Sequence, residues 1–205
     1  MSVLTRVGHA AVTIHGTRYT FIPSLSRIAS LVDPVAIYAD LHGESGPDAM
    51  RDAAVSVLVA CCDRDGIEQY IGQQQVGKTR VRPDGRGGYV TTRQYTDAYI
   101  DDVHLICIAQ QLMLHGLIGV APKRPTAPDA KAAYSPDFKA EEYAAAAMAH
   151  LGMSSAEAWG MTMTELLLAM SAKFPPTKEE QSQMKALDEY DRAMAWKKKL
   201  FEGES

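Results

Sequence analysis

A glycine-rich segment in the middle of the chain fits the pattern of a phosphate-binding loop. Residues Gly72–Thr79 match G-x4-G-K-[ST], in which backbone amides surround the phosphates, Lys78 would reach the terminal phosphates and Thr79 would bind magnesium. Such a loop follows a buried strand and opens a helix. Residues 80–85 instead contain a proline and a glycine that would stop a helix. The pattern therefore favours a coincidental loop, and a nucleotide-binding enzyme that uses Gly72–Thr79 is the alternative.

The same region is rich in basic side chains. Between residues 76 and 93 the only acidic residue is Asp84, and the basic residues are Lys78, Arg80, Arg82, Arg86 and Arg93. A flexible basic loop could contact a phosphate backbone through Lys78, Arg80, Arg82 and Arg86. The net charge of the chain is -4, so no overall electrostatic attraction to nucleic acid is expected. We expect a solvated loop, or one that docks onto acidic residues of a neighbouring subunit.

Four residues of a predicted helix are of types that bind metals, namely Asp101, His104, Cys107 and His115. His115 would lie about 16 Å along the helix axis from His104, so one straight helix cannot bring both to one ion. No nucleophile with an adjacent base is visible either. The sequence therefore predicts no metal site, no catalytic residue and no cofactor, and the protein is expected not to be an enzyme.

Apolar residues, including three methionines, crowd into a short C-terminal stretch. They are Trp159, Met161, Met163, Leu166, Leu167, Met170 and Phe174. Methionine adapts its shape and is common on surfaces that bind varied apolar partners. The alternative is that these residues form the core of a small helical bundle. A module this small can hardly bury all of them by itself, so we expect some to face another part of the chain, another subunit or a client protein.

The N-terminal part must begin with strands and continue with helices. Ala10–His15 and Arg18–Ile22 are predicted to form a β-hairpin around a Gly16-Thr17 turn. Helices are predicted from Ser24, from Pro34 with Asp33 as its N-cap, and from about Pro47. The last of these has an apolar face at helical spacing, formed by Met50, Ala53, Ala54, Val57, Leu58 and Cys61.

The middle of the chain divides into a loop and a helix. Glycine and proline residues within 63–95 predict a loop with one irregular hairpin. A helix is predicted from Asp97 to Leu117. The apolar run Val103–Val120 contains two histidines and two glutamines, which favour a buried helix over a membrane span. The three cysteines include an adjacent pair, which predicts reduced, buried thiols in a cytosolic protein.

The C-terminal part is predicted to be helical throughout. Three prolines within Ala121–Pro128 indicate a linker over residues 121–135. It separates an N-terminal α+β domain over 1–120 from a helical module over 136–205. Capping boxes are predicted at Ser154/Glu157, Thr162/Glu165 and Thr177/Glu180. The fold class expected is mainly α with a small N-terminal β-hairpin.

The stretch 151–166 resembles the C-terminal signature of tail assembly chaperones of long-tailed, siphophage-type bacteriophages. In this chain it reads Leu-Gly-Met-Ser-Ser-Ala-Glu-Ala-Trp-Gly-Met-Thr-Met-Thr-Glu-Leu. The resemblance covers residues 137–175, and the hairpin and helix of residues 1–45 are also similar to such proteins. The middle of the chain has no counterpart in such proteins, and the loop at 63–95 is a departure from their pattern or an insertion into it.

This resemblance implies a non-enzymatic protein that binds the tape-measure protein and keeps it soluble until the tail tube polymerises. The other partners to be considered are the major tail protein and further copies of the chain. No membrane or nucleic-acid partner is expected, and the expected location is the cytoplasm of the infected bacterial host. A structural tail or connector protein, present in the virion, is an alternative.

Overall fold

The computed structural model describes residues 5–71, 100–120, 138–182, 185–186 and 189, and the backbone of four short strands between residues 74 and 96. The described part is mainly α-helical with a two-stranded antiparallel hairpin near the N-terminus. This confirms the predicted fold class. The predicted linker at 121–135 lies outside the described residues.

The hairpin forms where it was predicted, but its turn is one residue earlier. Strands β1 (Ala10–Ile14) and β2 (Thr17–Phe21) flank His15 and Gly16, whose φ angles are 49° and 76°. Tight two-residue hairpins favour positive φ at both turn positions, which is costly for β-branched residues. Thr17 therefore stays in β2, and the predicted Gly16-Thr17 turn was wrong by one position.

Three helices follow the hairpin. They are α1 (Leu25–Ala29), α2 (Pro34–Leu41) and α3 (Pro47–Cys61). The Asp33 side chain accepts hydrogen bonds from two backbone amides of the first turn of α2, which confirms the predicted N-cap. The predicted face of α3 is confirmed, because it buries Ala53, Ala54, Val57, Leu58 and Cys61.

Helix α4 (Asp102–Met113) packs against α3 and continues into one π-helical turn at Leu114–Ile118. It begins five residues later than the predicted start at Asp97. The Asp101 side chain accepts a hydrogen bond from the backbone N–H of His104, so Asp101 is the N-cap. Within the described residues, no helix combines the length and the apolar character needed to cross a membrane.

Between α3 and α4 the backbone forms two nested strand pairs after a 3₁₀ turn at Ile67–Tyr70. The inner pair, β4 (Arg80–Pro83) with β5 (Tyr89–Thr92), is antiparallel and is the predicted irregular hairpin. The outer pair, β3 (Gln74–Gln75) with β6 (Tyr95–Thr96), was not predicted. The side chains of residues 72–99 lie outside the description.

The C-terminal helices are α5 (Ala140–Ala146), which continues as a π-helical turn to Leu151, α6 (Ser155–Gly160) and α7 (Met163–Lys173). The capping boxes that precede α6 and α7 are both complete, as predicted. At the third predicted box, the Thr177 and Glu180 side chains each accept a hydrogen bond from the other's backbone N–H. All three predictions are therefore confirmed.

Two apolar cores meet at α1. The larger core joins the hairpin to α2, α3 and α4. The smaller core surrounds the fully buried Leu25 of α1 with side chains from α5, α6 and α7. The backbone N–H of Leu25 donates to the carbonyl of Met161 at 2.8 Å, and Ser24 forms an isolated bridge with Thr162. The short helix α1 thus connects the N-terminal part to the C-terminal helices.

Candidate partner-binding surface

The seven apolar residues singled out from the sequence divide between the core and the surface. Met163 and Leu166 are each 2% exposed and belong to the smaller core. Trp159, Met161, Leu167 and Met170 are half-buried against that core. Phe174 is 43% exposed. The predicted binding role of all seven stays a prediction, and Met163 and Leu166 support the surface from beneath.

Helical spacing explains this division along α7. Met163, Leu167, Met170 and Phe174 follow one another at intervals of four, three and four residues, which places them along one stripe of the helix. Burial is greatest at the first residue and least at the last, because the N-terminal end of α7 is in the core and its C-terminal end extends beyond it. The stripe therefore emerges from the core into solvent at Phe174.

Further apolar side chains are exposed on neighbouring helices of the module. Met148 is 37% exposed, Leu168 42% and Tyr143 39%. The Phe174 ring contacts the ring of His150 edge-on, with centroids 5.9 Å apart, which brings the end of α7 beside the end of the α5 segment. Sequence reasoning missed Met148 and Leu168, although both lie within its helical module. Their exposure depends on which faces α5 and α7 present to the core.

Hydrogen bonds fix the first turn of α7 to the N-terminal part of the chain. Thr164 is 1% exposed, and its hydroxyl accepts from the Val120 backbone N–H at 2.9 Å. The same hydroxyl is 2.9 Å from Nδ1 of the buried His115. Burial lowers the pKa of His115, so its ring is neutral at neutral pH. These bonds orient the stripe, and sequence reasoning assigned no role to Thr164.

Close backbone packing adds to this orientation. A Cβ atom built on Gly119 would lie 2.5 Å from Cδ1 of Leu167 and 2.7 Å from Cγ of Met163. Gly119 also has a φ of +80°, which favours glycine. Nearby, Nε2 of His9 has no hydrogen-bond partner among the described residues and lies 4.0 Å from Oε1 of Glu165. The start of α7 is thus packed closely against the residues that follow α4, with His9 beside Glu165.

The phosphate-loop pattern lacks the helix that it requires. The residues that follow Gly72–Thr79 form strand β4, which pairs with β5. A phosphate loop delivers its lysine at the N-terminus of a helix, which β4 does not provide. Arg80 and Arg82 lie in this strand, whereas Lys78 and Arg86 lie outside the described residues. The possible phosphate or nucleic-acid contacts of these four residues stay a prediction.

The four metal-type residues of α4 do not converge. The Asp101 carboxylate is exposed, and it accepts a hydrogen bond from the backbone N–H of His104 and lies 2.8 Å from the Nδ1 of the same residue. The backbone hydrogen bond first, and the ring contact second, lower the pKa of Asp101. His115 is buried beside Thr164. Cys107 is exposed and Cys62 is half-buried, so the prediction that all three cysteines are buried was wrong except for Cys61. Among the residues that the structure describes, no three histidine, cysteine, aspartate or glutamate side chains group in a way that could hold a metal ion.

Comparison with known proteins places the chain in a family without assigning an activity. No curated protein and no solved structure matches the chain. A family of unknown function, DUF6246, matches residues 7–192. That match covers both cores, the nested strands and the capped helices of the C-terminal module. The chain therefore belongs to the DUF6246 family.

Proposed function

We propose that this protein is a non-enzymatic tail assembly chaperone that binds the tape-measure protein of a long-tailed bacteriophage in the host cytoplasm. It holds that client in solution until the tail tube polymerises around it. The proposal starts from the resemblance of residues 151–166 to the C-terminal signature of such chaperones. The observation that carries it further is the apolar stripe of α7, which leaves the core at Leu167 and Met170 and ends on the exposed Phe174.

A stripe of this kind suits reversible binding to an apolar client. Leu167 and Met170 are half-buried, so a client would contact them without any rearrangement of the core. Methionine and phenylalanine together offer an adaptable side chain beside a large rigid one. Burying the exposed part of such residues contributes about 25 cal/mol per Å². A surface of a few residues therefore gives modest affinity, which allows release when tail-tube subunits compete.

The test is co-expression with the tape-measure protein that is encoded nearby, followed by affinity purification and measurement of the soluble client fraction. We expect the wild-type chain to co-purify with a soluble client. The double variant Met170→Ser/Phe174→Ser should lose most of this effect. Val103→Ser is the matched control, because Val103 is 70% exposed on α4, away from the stripe, and its loss should leave solubilisation unchanged.

Two results would overturn the proposal. One is an insoluble and unbound client with the wild-type chain, and the other is equal loss in both variants. Circular dichroism and thermal unfolding of each variant would separate loss of binding from loss of folding. Mass spectrometry of purified virions adds an independent outcome: a chaperone leaves the assembled tail, whereas a structural tail or connector protein stays in it.

A further inference from the structure

The outer edge of strand β1 is unpaired in the described part of the chain. In the hairpin, Val12 lies opposite Tyr19 and Thr13 opposite Arg18. Antiparallel pairing alternates, so residues that bond across the hairpin are separated by residues whose N–H and C=O groups point away from it. On β1 the outward residues are Ala11 and Thr13. No hydrogen bond joins their outward groups to the described residues.

The opposite edge of the same hairpin is covered. The backbone N–H of Thr20 donates to the Asp63 carboxylate at 2.8 Å, and the N–H of Ile22 donates to the Cys61 carbonyl at 2.8 Å. The N–H of Asp63 in turn donates to the Thr20 carbonyl. These contacts also fix the alternation, because they show that even-numbered residues of β2 point outward. Of the two edges of this hairpin, the β1 edge has no such contact among the described residues.

An apolar groove of about 390 Å³ lies beside this edge. It is lined by Val12, Thr13 and Ile14 of β1, by Ile100 and Asp101 before α4, and by His104 and Ile108 of α4. The five residues of β1 include no charged residue and no proline, which are the usual protections of an exposed edge. An incoming strand would therefore find both unpaired backbone groups and an apolar wall.

We propose that a second copy of this chain occupies the edge, with two β1 strands paired antiparallel about a two-fold axis at Val12. The outward residues Ala11 and Thr13 are equidistant from Val12, so Ala11 of each copy exchanges hydrogen bonds with Thr13 of the other. Directly opposed side chains point to the same face of a sheet. The incoming strand thus directs Ala10, Val12 and Ile14 toward the groove, and all three are apolar.

The size of the contact predicts a reversible dimer. Strand β1 has five residues and spans about 17 Å. Stable complexes bury about 1,200 Å² or more of surface, and the pairing of two strands of this length buries only part of that area. The groove supplies further apolar area, and the absence of charge on β1 avoids repulsion between the copies. The dimer is therefore expected to dissociate on dilution. This proposal does not depend on the proposed chaperone function.

Cysteine cross-linking tests the pairing register directly. In a Cys107→Ser background, Val12→Cys would place two thiols opposite each other in a non-hydrogen-bonded pair, with Cα atoms about 4.5 Å apart. That separation lies within the range of disulfides. Thr13→Cys is the matched control, because in this register it lies opposite Ala11 and about 7 Å or more from its own copy. We expect oxidation to give a covalent dimer with Val12→Cys only. Equal cross-linking of both variants, or of neither, would refute the register.

Sedimentation velocity over a concentration series tests the dimer itself. Thr13→Pro removes an outward N–H and leaves the hairpin bonds, so it should raise the dissociation constant at least tenfold. Arg18 lies opposite Thr13 on strand β2, and its N–H points to the other edge of the hairpin. Arg18→Pro therefore introduces the same backbone restriction away from the proposed interface and should leave dimerisation unchanged. A wild-type chain that stays monomeric throughout would overturn the proposal. A second outcome would also overturn it: the wild-type chain is monomeric, and Thr13→Pro, but not Arg18→Pro, abolishes solubilisation of the tape-measure protein. The β1 edge would then bind the client and not a second copy.

Discussion

The hydroxyl of Thr164 should contribute measurably to the free energy of unfolding, because it joins α7 to the end of α4. Thr164→Val keeps the shape of the side chain and removes this hydroxyl. The change leaves Nδ1 of the buried His115 without its partner at 2.9 Å, and it removes the acceptor of the Val120 N–H. Both groups then lose the contact that holds the start of α7.

The expected magnitude follows from how far water can reach each group. An unpaired buried polar group costs about 1–3 kcal/mol. His115 is 5% exposed and should bear that cost, whereas Val120 is 44% exposed and its N–H can bind water instead. The added methyl group returns up to about 0.8 kcal/mol. We therefore expect a net loss of about 1–2 kcal/mol, or about 2–8 °C in Tm for a chain of this size.

Urea unfolding followed by far-UV circular dichroism measures this loss, with an unchanged m-value as the sign that the native compactness is retained. Thr13→Val is the control, since the hydroxyl of Thr13 is exposed and makes no hydrogen bond with the described residues. Its effect should stay within about 0.5 kcal/mol. If Thr164→Val is as stable as that control, the two hydrogen bonds do not stabilise the joint and the reasoning is wrong. Thr164→Ser keeps the hydroxyl and should recover part of the loss.

Three other predictions concern the same framework. Gly119→Ala should destabilise the fold by about 2 kcal/mol in the same urea assay, because its positive φ and nearby side chains leave no room for Cβ. Gly160→Ala, with open space around it, should be neutral or slightly stabilising, and equal effects would contradict the packing argument. The lowered pKa of His115 means that the unfolded chain takes up the proton first, so stability should fall as pH drops below about 6.5. His115→Asn should show a shallower fall in urea midpoints over that range, and an unchanged slope would assign the pH dependence to other groups. Burial raises the pKa of Cys61 to about 12, so a disulfide reagent should modify the exposed Cys107 first and reach Cys61 only on unfolding. Equal labelling rates in native buffer would show that Cys61 is accessible.

Local signals in the sequence determined most of the helices. A Ser or Thr followed three residues later by Glu satisfies backbone groups of the same turn, so Ser154, Thr162 and Thr177 marked helix starts without any tertiary contact. The apolar spacing of α3 identified its buried face for the same reason, since helix periodicity is a property of the chain itself. The sequence pattern was least informative about a helix start where two residues could each serve as its N-cap. Asp97 and Asp101 both suit a helix N-terminus, and the structure uses Asp101.

The tertiary structure alone decided which apolar residues of α7 are buried. Met163 and Met170 are the same residue type on the same stripe, yet Met163 is 2% exposed within the core around Leu25, whereas Met170 is only half-buried against it. The pairing of Thr164 with His115 joins residues 49 positions apart, and no local pattern encodes it. The phosphate-loop pattern is the opposite case, in which a local motif is present but its structure is not. The residues after the motif form strand β4 and not the helix that a phosphate loop requires. Local composition therefore specified the elements, whereas burial and exposed edges depended on long-range packing, which the hydrophobic effect drives without regard to sequence distance.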